Sequence, residues 1–233
     1  MNRSEFVQLS IIIPTFNEAD NISPLVIAVD KALSGIEYEI VFADDSTDRT
    51  TEIIRRASIA NSRIHLCHRQ SGRGLASAIV EAIPATSANI LAVLDGDLQH
   101  PPATLPYLLD ALRTGADLAV ASRYAPGGWD SGLAGFQRRL ASKATRLAAY
   151  LLLPSSRVTT DPLSGYFVFK KSILQHSDLR PLGYKILLEI LVRSSVRKVV
   201  DVPFPFERRV AEKSKAGIGE AWSYLKHLWR LRG

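Results

Sequence analysis

One cysteine in 233 residues, Cys67, excludes an internal disulfide framework and fits a reducing compartment. It lies in the strand-like run RIHLC (63–67), so it reads as a buried thiol and not a nucleophile. Long apolar runs are also missing. The longest, Leu147–Pro154, falls far short of the roughly 20 residues that cross a bilayer. No apolar signal-peptide core precedes Ile11. Together these absences predict a chain that does not span a membrane. Internal repeats and low-complexity segments are absent too. Acid is locally scarce: Ser131 to Thr160 holds five basic residues (Arg138, Arg139, Lys143, Arg146, Arg157) and no Asp or Glu. From Pro203 to Gly233, seven basic residues face three acidic ones, a large part of the overall +6. Such stretches are either solvated faces or a surface that meets phosphates, on nucleic acid or on anionic lipid.

What is present is ordinary globular material, 46% hydrophobic and 22% charged, enough for one large domain or a domain with an appendage. Strand and helix patterns alternate. Residues 9–14, 38–45, 63–67, 88–95 and 116–122 read as strands. Residues 17–33, 47–60, 73–85 and 105–113 read as the intervening helices. Near-continuous apolar strands in this order predict an α/β fold with a mostly parallel sheet and helices on both faces. Beyond Arg123 the pattern loosens: a loop over 124–135, a basic helix over 138–153, a strand over 164–171, a short helix over 185–193, and a last strand over 196–204. Residues 208–217 read as a charged loop and 220–231 as an amphipathic helix.

In such folds ligands bind beyond the carboxyl ends of the strands. The polar residues collect there: PTFNE after the first strand, DDSTDRT after the second, DGD after the fourth, SRY after the fifth. In LAVLDGDLQHPP (91–102), Asp95 and Asp97 are turn residues, catalytic acids or holders of a cation. Carboxylate oxygen is a hard ligand suited to Mg²⁺ or Mn²⁺. Residues two apart on an extended segment point the same way, so both carboxylates can face one cation. Gly96 leaves room for a ligand to approach the backbone. A metal role is therefore the favoured reading.

The motifs IIIPTFNE, VFADDSTDRT, LDGDLQHPP, ASRYAPGG, RRLASK, DPLSGYFVFKK, GYKILLEIL and VPFPFERR…SK follow one another from residue 11 to about residue 215. In that order they resemble the family 2 glycosyltransferases of the GT-A fold, and within them the dolichyl- and polyprenyl-phosphate mannose synthases. The resemblance implies a catalytic domain over 1–215 and a membrane-interface helix over 216–233. It implies that Pro14, Phe16, Glu18 and Asp45 line a nucleoside pocket, with Asp44 beside them. Asp95, Asp97 and Gln99 would surround a Mg²⁺ or Mn²⁺ ion and a diphosphate, while His100 and the prolines shape the loop. Arg123, Arg138, Ser142 and Arg209 match the family's phosphate-binding positions; Arg139, Lys143 and Arg146 read as solvated or interfacial. The partners implied are a nucleotide-sugar donor, a polyprenyl phosphate acceptor and a membrane surface, with the enzyme peripheral on the cytoplasmic face.

An ionised lipid phosphate is its own nucleophile and needs no general base; it needs positive charge. The arginine fork suits this. Ser142 lies one helical turn from Arg138 on the same face. The family's Gly-Glu-Ser-Lys is here Glu212-Lys213-Ser214-Lys215, so either Lys215 or Lys213 contacts the donor phosphates. Arg73 before Gly74 is a nucleotide contact or helix-start packing. The terminal helix carries Trp222, Tyr224, Leu225, Leu228, Trp229 and Leu231 with Lys226, Arg230 and Arg232, a pattern for an in-plane membrane helix, one docked on the core or a connection to transmembrane segments. Mannose from GDP-mannose is the donor sugar the resemblance favours. The alternatives are UDP-glucose, a sugar-hydroxyl acceptor with Asp161 as base, and a catalytically silent nucleotide-sugar-binding protein. Nucleic-acid binding rests on charge alone and leaves the strand-end acids unexplained.

Overall fold

A computed structural model describes residues 7–69, 74–128, 136–180, 182–205 and 218–232, with side chains only from Leu140 and from Tyr224 onward in the helices that begin at Phe136 and Ile218. Its strands are β1 (Leu9–Thr15), β2 (Tyr38–Asp44), β3 (Ile64–His68), β4 (Ile90–Val93), β5 (Leu118–Ser122), β6 (Phe167–Lys170) and β7 (Val199–Pro203). The helices are α1 (Ile22–Ala32), α2 (Thr50–Ala60), α3 (Leu75–Ala82), α4 (Leu105–Arg113), α5 (Phe136–Leu152), α6 (Ile186–Arg193) and α7 (Ile218–Arg232). The strands form one sheet in the order β3-β2-β1-β4-β6-β5-β7. All neighbours are parallel except β6, which runs antiparallel to both β4 and β5. The reversal has a consequence for function. It brings the amino end of β6, Gly165-Tyr166, to the sheet edge where the other strands end.

Burial on both faces explains the continuous apolar strands. In β1, Ile11 and Ile13 pack with Leu25 and Val29 of α1 and Leu105 and Leu108 of α4. Ile12, one residue out of phase, packs with Ile79 of α3 and Ile186 and Ile190 of α6 on the opposite face. Helix starts differ from expectation. α1 begins at Ile22, five residues later than the apolar spacing suggests, because Asn17 has φ of 58° and the chain turns through 17–21. α2 begins at Thr50, where Asp48 accepts the Thr50 N–H at 2.9 Å. β4 ends at Val93, so Asp95 lies beyond the strand and Asp97 on the turn that follows, and the two acids do not share one strand.

A third cluster joins the C-terminal helix to the domain. Tyr224, Leu228 and Leu231 of α7 pack against Ala149 of α5, Leu153, Leu163 and Leu188 of α6. The Tyr224 hydroxyl donates to the Thr145 carbonyl at 2.7 Å. One face of the helix is thus docked, while Leu225 and Trp229 face outward. At the centre of the contact lies Glu189, fully buried. It accepts the Arg180 N–H at 2.7 Å, meets His227 Nε2 at 2.7 Å and approaches Arg193 at 3.0 Å. Burial alone would raise this carboxyl's pKa; the His227 hydrogen bond, the Arg180 amide and the Arg193 charge outweigh it and lower the value. A carboxylate depressed on folding adds stability above its unfolded value, near 4.5, and loses it as pH falls through the folded one. Glu189→Gln is therefore expected to destabilise the fold by about 2 kcal/mol at pH 7 in denaturant titrations. The gap to wild type should narrow below about pH 4.

Candidate active site

Six strand ends and the start of β6 meet at one edge of the sheet. At the β1–β3 end of this edge, Asp44 at the end of β2 is fully buried. It accepts from Thr15 Oγ1 at 2.8 Å, Ser46 Oγ at 2.6 Å and Thr51 Oγ1 at 2.6 Å, and lies 3.1 Å from His68 Nδ1. Burial would raise its pKa, but the bonds from Ser46, Thr51, Thr15 and His68 prevail and lower it. Asp44 therefore ties the ends of β1, β2 and β3 together. The loops after β1 and β2 are stapled above it: Asn17 N–H donates to Ser46 Oγ at 2.8 Å and Thr47 N–H to Asn17 Oδ1 at 2.9 Å. Pro14 is buried in β1, and Phe16, 46% exposed, projects from this staple. Glu18 accepts Asn21 Nδ2 at 2.6 Å while its N–H donates to Thr50 Oγ1 at 3.0 Å.

Asp45 is not an isolated acid. Arg69, one residue beyond β3, grips it with Nε at 2.7 Å and with Nη2, and its Nη1 reaches Ser77 at 3.1 Å and Glu81 at 3.0 Å. Arg69 escaped the sequence reading. Its position directly after a strand, at the carboxyl edge, is the signal that finds it.

Beyond β4, Asp97 is only 6% exposed and closes its own turn, with Oδ1 accepting the Gln99 N–H at 3.1 Å. Leu98 between them has φ of 62°. Asp95 is held against Gly165, where an added Cβ would lie 3.0 Å from its Oδ2. Asp95 and Asp97 both act electrostatically on buried His100, as do Arg123 and Asp161. The two motifs thus share one neighbourhood. Among the described residues no group of three or more His, Cys, Asp or Glu side chains is arranged to hold a metal alone. Two carboxylates suit a cation whose other ligands are water and substrate phosphate, as is usual for Mg²⁺.

Arg123, just past β5, is nearly buried and paired. Its Nε and Nη2 meet Asp161 at 2.7 and 2.8 Å, and its backbone N–H reaches Asp161 Oδ2 at 3.3 Å. Asp161 is itself fully buried. Its loop is fastened to β7: Thr159 Oγ1 donates to Asp201 Oδ1 at 2.5 Å and Thr160 N–H to Oδ2 at 2.7 Å. Next to it, Tyr124 bridges to α5. Its hydroxyl and that of Ser142 are 2.8 Å apart, and the Arg146 guanidinium stacks 3.9 Å from its ring centre. Arg146, half-exposed and expected to be solvated or interfacial, joins this assembly through the Tyr124 ring. Lys143 is exposed. Arg138 lies in α5, its side chain outside the described residues, as are the side chains of Arg139 and Trp222. Arg73, Arg209, Lys213 and Lys215 lie outside the described residues altogether.

Known proteins resemble the chain in sequence and in fold. Residues 10–176 match the family model for glycosyl transferase family 2. A dolichol-phosphate mannosyltransferase of Pyrococcus furiosus is 39% identical over 97% of this chain, which spans 64% of that relative's length. One of Saccharomyces cerevisiae is 31% identical over 97% of this chain and 87% of its own. A polyprenol monophosphomannose synthase of Mycolicibacterium smegmatis is 31% identical over 96% and 87%. Among solved structures, glucosyl-3-phosphoglycerate synthase from Mycobacterium tuberculosis, in complex with Mn²⁺, UDP and glucosyl-3-phosphoglycerate, superposes with a TM-score of 0.71. It covers 98% of this chain and 79% of its own at 20% identity, which establishes a shared GT-A-like fold. The seven-stranded sheet with its reversed β6, the acids gathered at the strand ends and the match over residues 10–176 lead to one assignment: the chain belongs to glycosyl transferase family 2.

Proposed function

We propose that the chain is an inverting glycosyltransferase that moves mannose from GDP-mannose to a polyprenyl phosphate. The names of the curated relatives support the reaction class. The observation that carries the acceptor assignment is the Arg123–Asp161 pair. A sugar-hydroxyl acceptor needs a base to take its proton. The carboxylate best placed for that, Asp161, is fully buried and spends both oxygens on Arg123. A phosphate monoester, with a second pKa of about 6, is ionised at neutral pH without help.

Asp95, Asp97 and Gln99 are the residues that would hold a divalent cation, which as a Lewis acid lets a nucleoside diphosphate depart. The chain's own residues do the rest. The stapled loops carrying Phe16, Glu18 and Asp45 hold the nucleoside over the sheet edge. Arg123 is held rigid by Asp161, and Ser142 by Tyr124, so positive charge and a hydroxyl donor meet the incoming phosphate without reorganising. Arg138, Arg209 and Lys215 add cationic charge on the same reading. One in-line displacement inverts the anomeric centre, so an α-linked donor gives a β-linked lipid phosphosugar.

The reaction sits at a membrane surface, on the cytoplasmic face. Leu140, Leu147 and Leu151 of α5 and Leu225 and Trp229 of α7 are exposed apolar side chains beside Lys143, Lys226 and Arg232, the composition of an interfacial face. No described helix is long and apolar enough to cross a membrane. The test is direct. Purified protein with Mn²⁺, polyprenyl phosphate and a panel of labelled nucleotide sugars is expected to move label from GDP-mannose into the organic phase. Nucleotide binding without transfer from any donor would instead establish the silent binding protein.

A further inference from the structure

His100 is a buried histidine, 4% exposed, in the middle of a charged site, and is expected only to shape its loop. Its geometry says how. The backbone N–H of Asp95 donates to His100 Nδ1 at 3.1 Å. A ring nitrogen that accepts an N–H carries no proton of its own, so the neutral ring bears its proton on Nε2. The same Nδ1 lies 3.5 Å from Asp95 Oδ2. Two acceptors make no ion pair, so the ring grips the backbone of Asp95 and leaves the negative charge of its carboxylate intact.

The ring itself is immobilised. It stacks on Tyr166 at 5.2 Å between centroids, and Phe204 meets it edge-on at 5.8 Å. The Tyr166 hydroxyl donates to the Pro101 carbonyl at 3.0 Å, tying β6 to the residue after His100. The neighbour of Tyr166, Gly165, presses on the Asp95 carboxylate so closely that an added Cβ would sit 3.0 Å from Oδ2 and 3.1 Å from Oδ1. The start of β6 thus fixes Asp95 twice: directly through Gly165 and indirectly through the ring that Tyr166 holds. The loop so closed contains Leu98 at φ of 62°, a conformation that a bulky side chain adopts only when its surroundings enforce it.

We propose that His100 is a positioning residue for the cation-binding loop. Its neutral Nδ1 clips the Asp95 amide, so that the loop presents the Asp95 and Asp97 carboxylates in one fixed arrangement. This rests on the reading of those acids as cation ligands, and the two are separable by experiment. His100→Phe keeps a ring and loses the acceptor. His100→Asn loses the ring and restores an acceptor oxygen near the place of Nδ1. Outer partners of metal ligands typically govern affinity by about 10- to 100-fold. Mn²⁺ titrated into protein saturated with GDP, with free Mn²⁺ read by electron paramagnetic resonance, is expected to bind at least about tenfold more weakly to His100→Phe, with His100→Asn recovering most of the loss. In parallel, amide hydrogen exchange without any cation should show the Asp95 amide deprotected in His100→Phe and protected in His100→Asn. Equal Mn²⁺ affinity in His100→Phe and wild type overturns the positioning role, and an unprotected Asp95 amide in wild type overturns the clip itself. Protection in wild type without any Mn²⁺ uptake overturns its role in cation binding and the cation reading together, while leaving the hydrogen bond itself in place.

Discussion

Asp97→Asn is expected to lower metal-dependent transfer about 1,000-fold, equivalent to roughly 4 kcal/mol of barrier. Asparagine keeps the shape of the side chain and the oxygen that accepts the Gln99 N–H at 3.1 Å, so the turn survives. What goes is one negative charge at a side chain that is 6% exposed, where little water is at hand to replace it. A Lewis acid contributes several kcal/mol to a departing anion, and a weakened site forfeits most of it. The loss should fall on kcat at saturating Mn²⁺, because the missing interaction grows as the diphosphate leaves. Rates measured with saturating GDP-mannose and polyprenyl phosphate over a Mn²⁺ series decide it. Full transfer by Asp97→Asn at ordinary Mn²⁺ would remove these acids from the cation site.

The fold was legible because two-sided burial writes itself into sequence as apolar runs. β1, every residue of it buried, and α4, which begins and ends where its spacing places it, are plain in the sequence. What sequence pattern hides is direction. Phe167–Lys170 reads equally well as a parallel or an antiparallel strand, since hydrophobic periodicity is blind to polarity. Yet the reversal of β6 is what delivers Gly165 and Tyr166 to Asp95 and His100. Helix starts were misplaced for a related reason. The first helix is expected from Asn17, but Asn17 spends its backbone and side chain on the loop after β2, some 29 and 30 residues away.

The site was legible as a set of residues and not as a set of bonds. Strand-end position picked out Asp45, Asp95, Asp97 and Arg123, but partners across the fold decide what each one does. Asp45 belongs with Arg69, Arg123 with Asp161, and Ser142 with Tyr124. Each partnership links segments 18 to 38 residues apart, and no local pattern encodes it. Asp161 illustrates the cost of reading residues singly. As an acid near the acceptor it looks like a base; as the buried partner of a guanidinium it is a brace.

That distinction gives the second large effect. Arg123→Lys is expected to lower kcat/KM for the lipid phosphate about 100-fold, roughly 2.7 kcal/mol. Lysine keeps the charge but cannot engage both oxygens of Asp161 and still present a planar edge to phosphate. Asp161→Asn should cost a similar factor, and the double variant little more than either single one, because the two act as a unit. Asp161→Asn also strands a buried guanidinium, which costs about 3–5 kcal/mol of stability, so Arg123→Lys carries the kinetic comparison if Asp161→Asn does not fold. The pH profile then separates brace from base. With a self-ionised acceptor, kcat/KM falls on the acid side near pH 6, at about the second pKa of a phosphate monoester. That limb belongs to the substrate. It should be the same in wild type and Arg123→Lys, and a more basic phosphonate acceptor should move it upward. If Asp161 were the base, the limb would ignore the phosphonate.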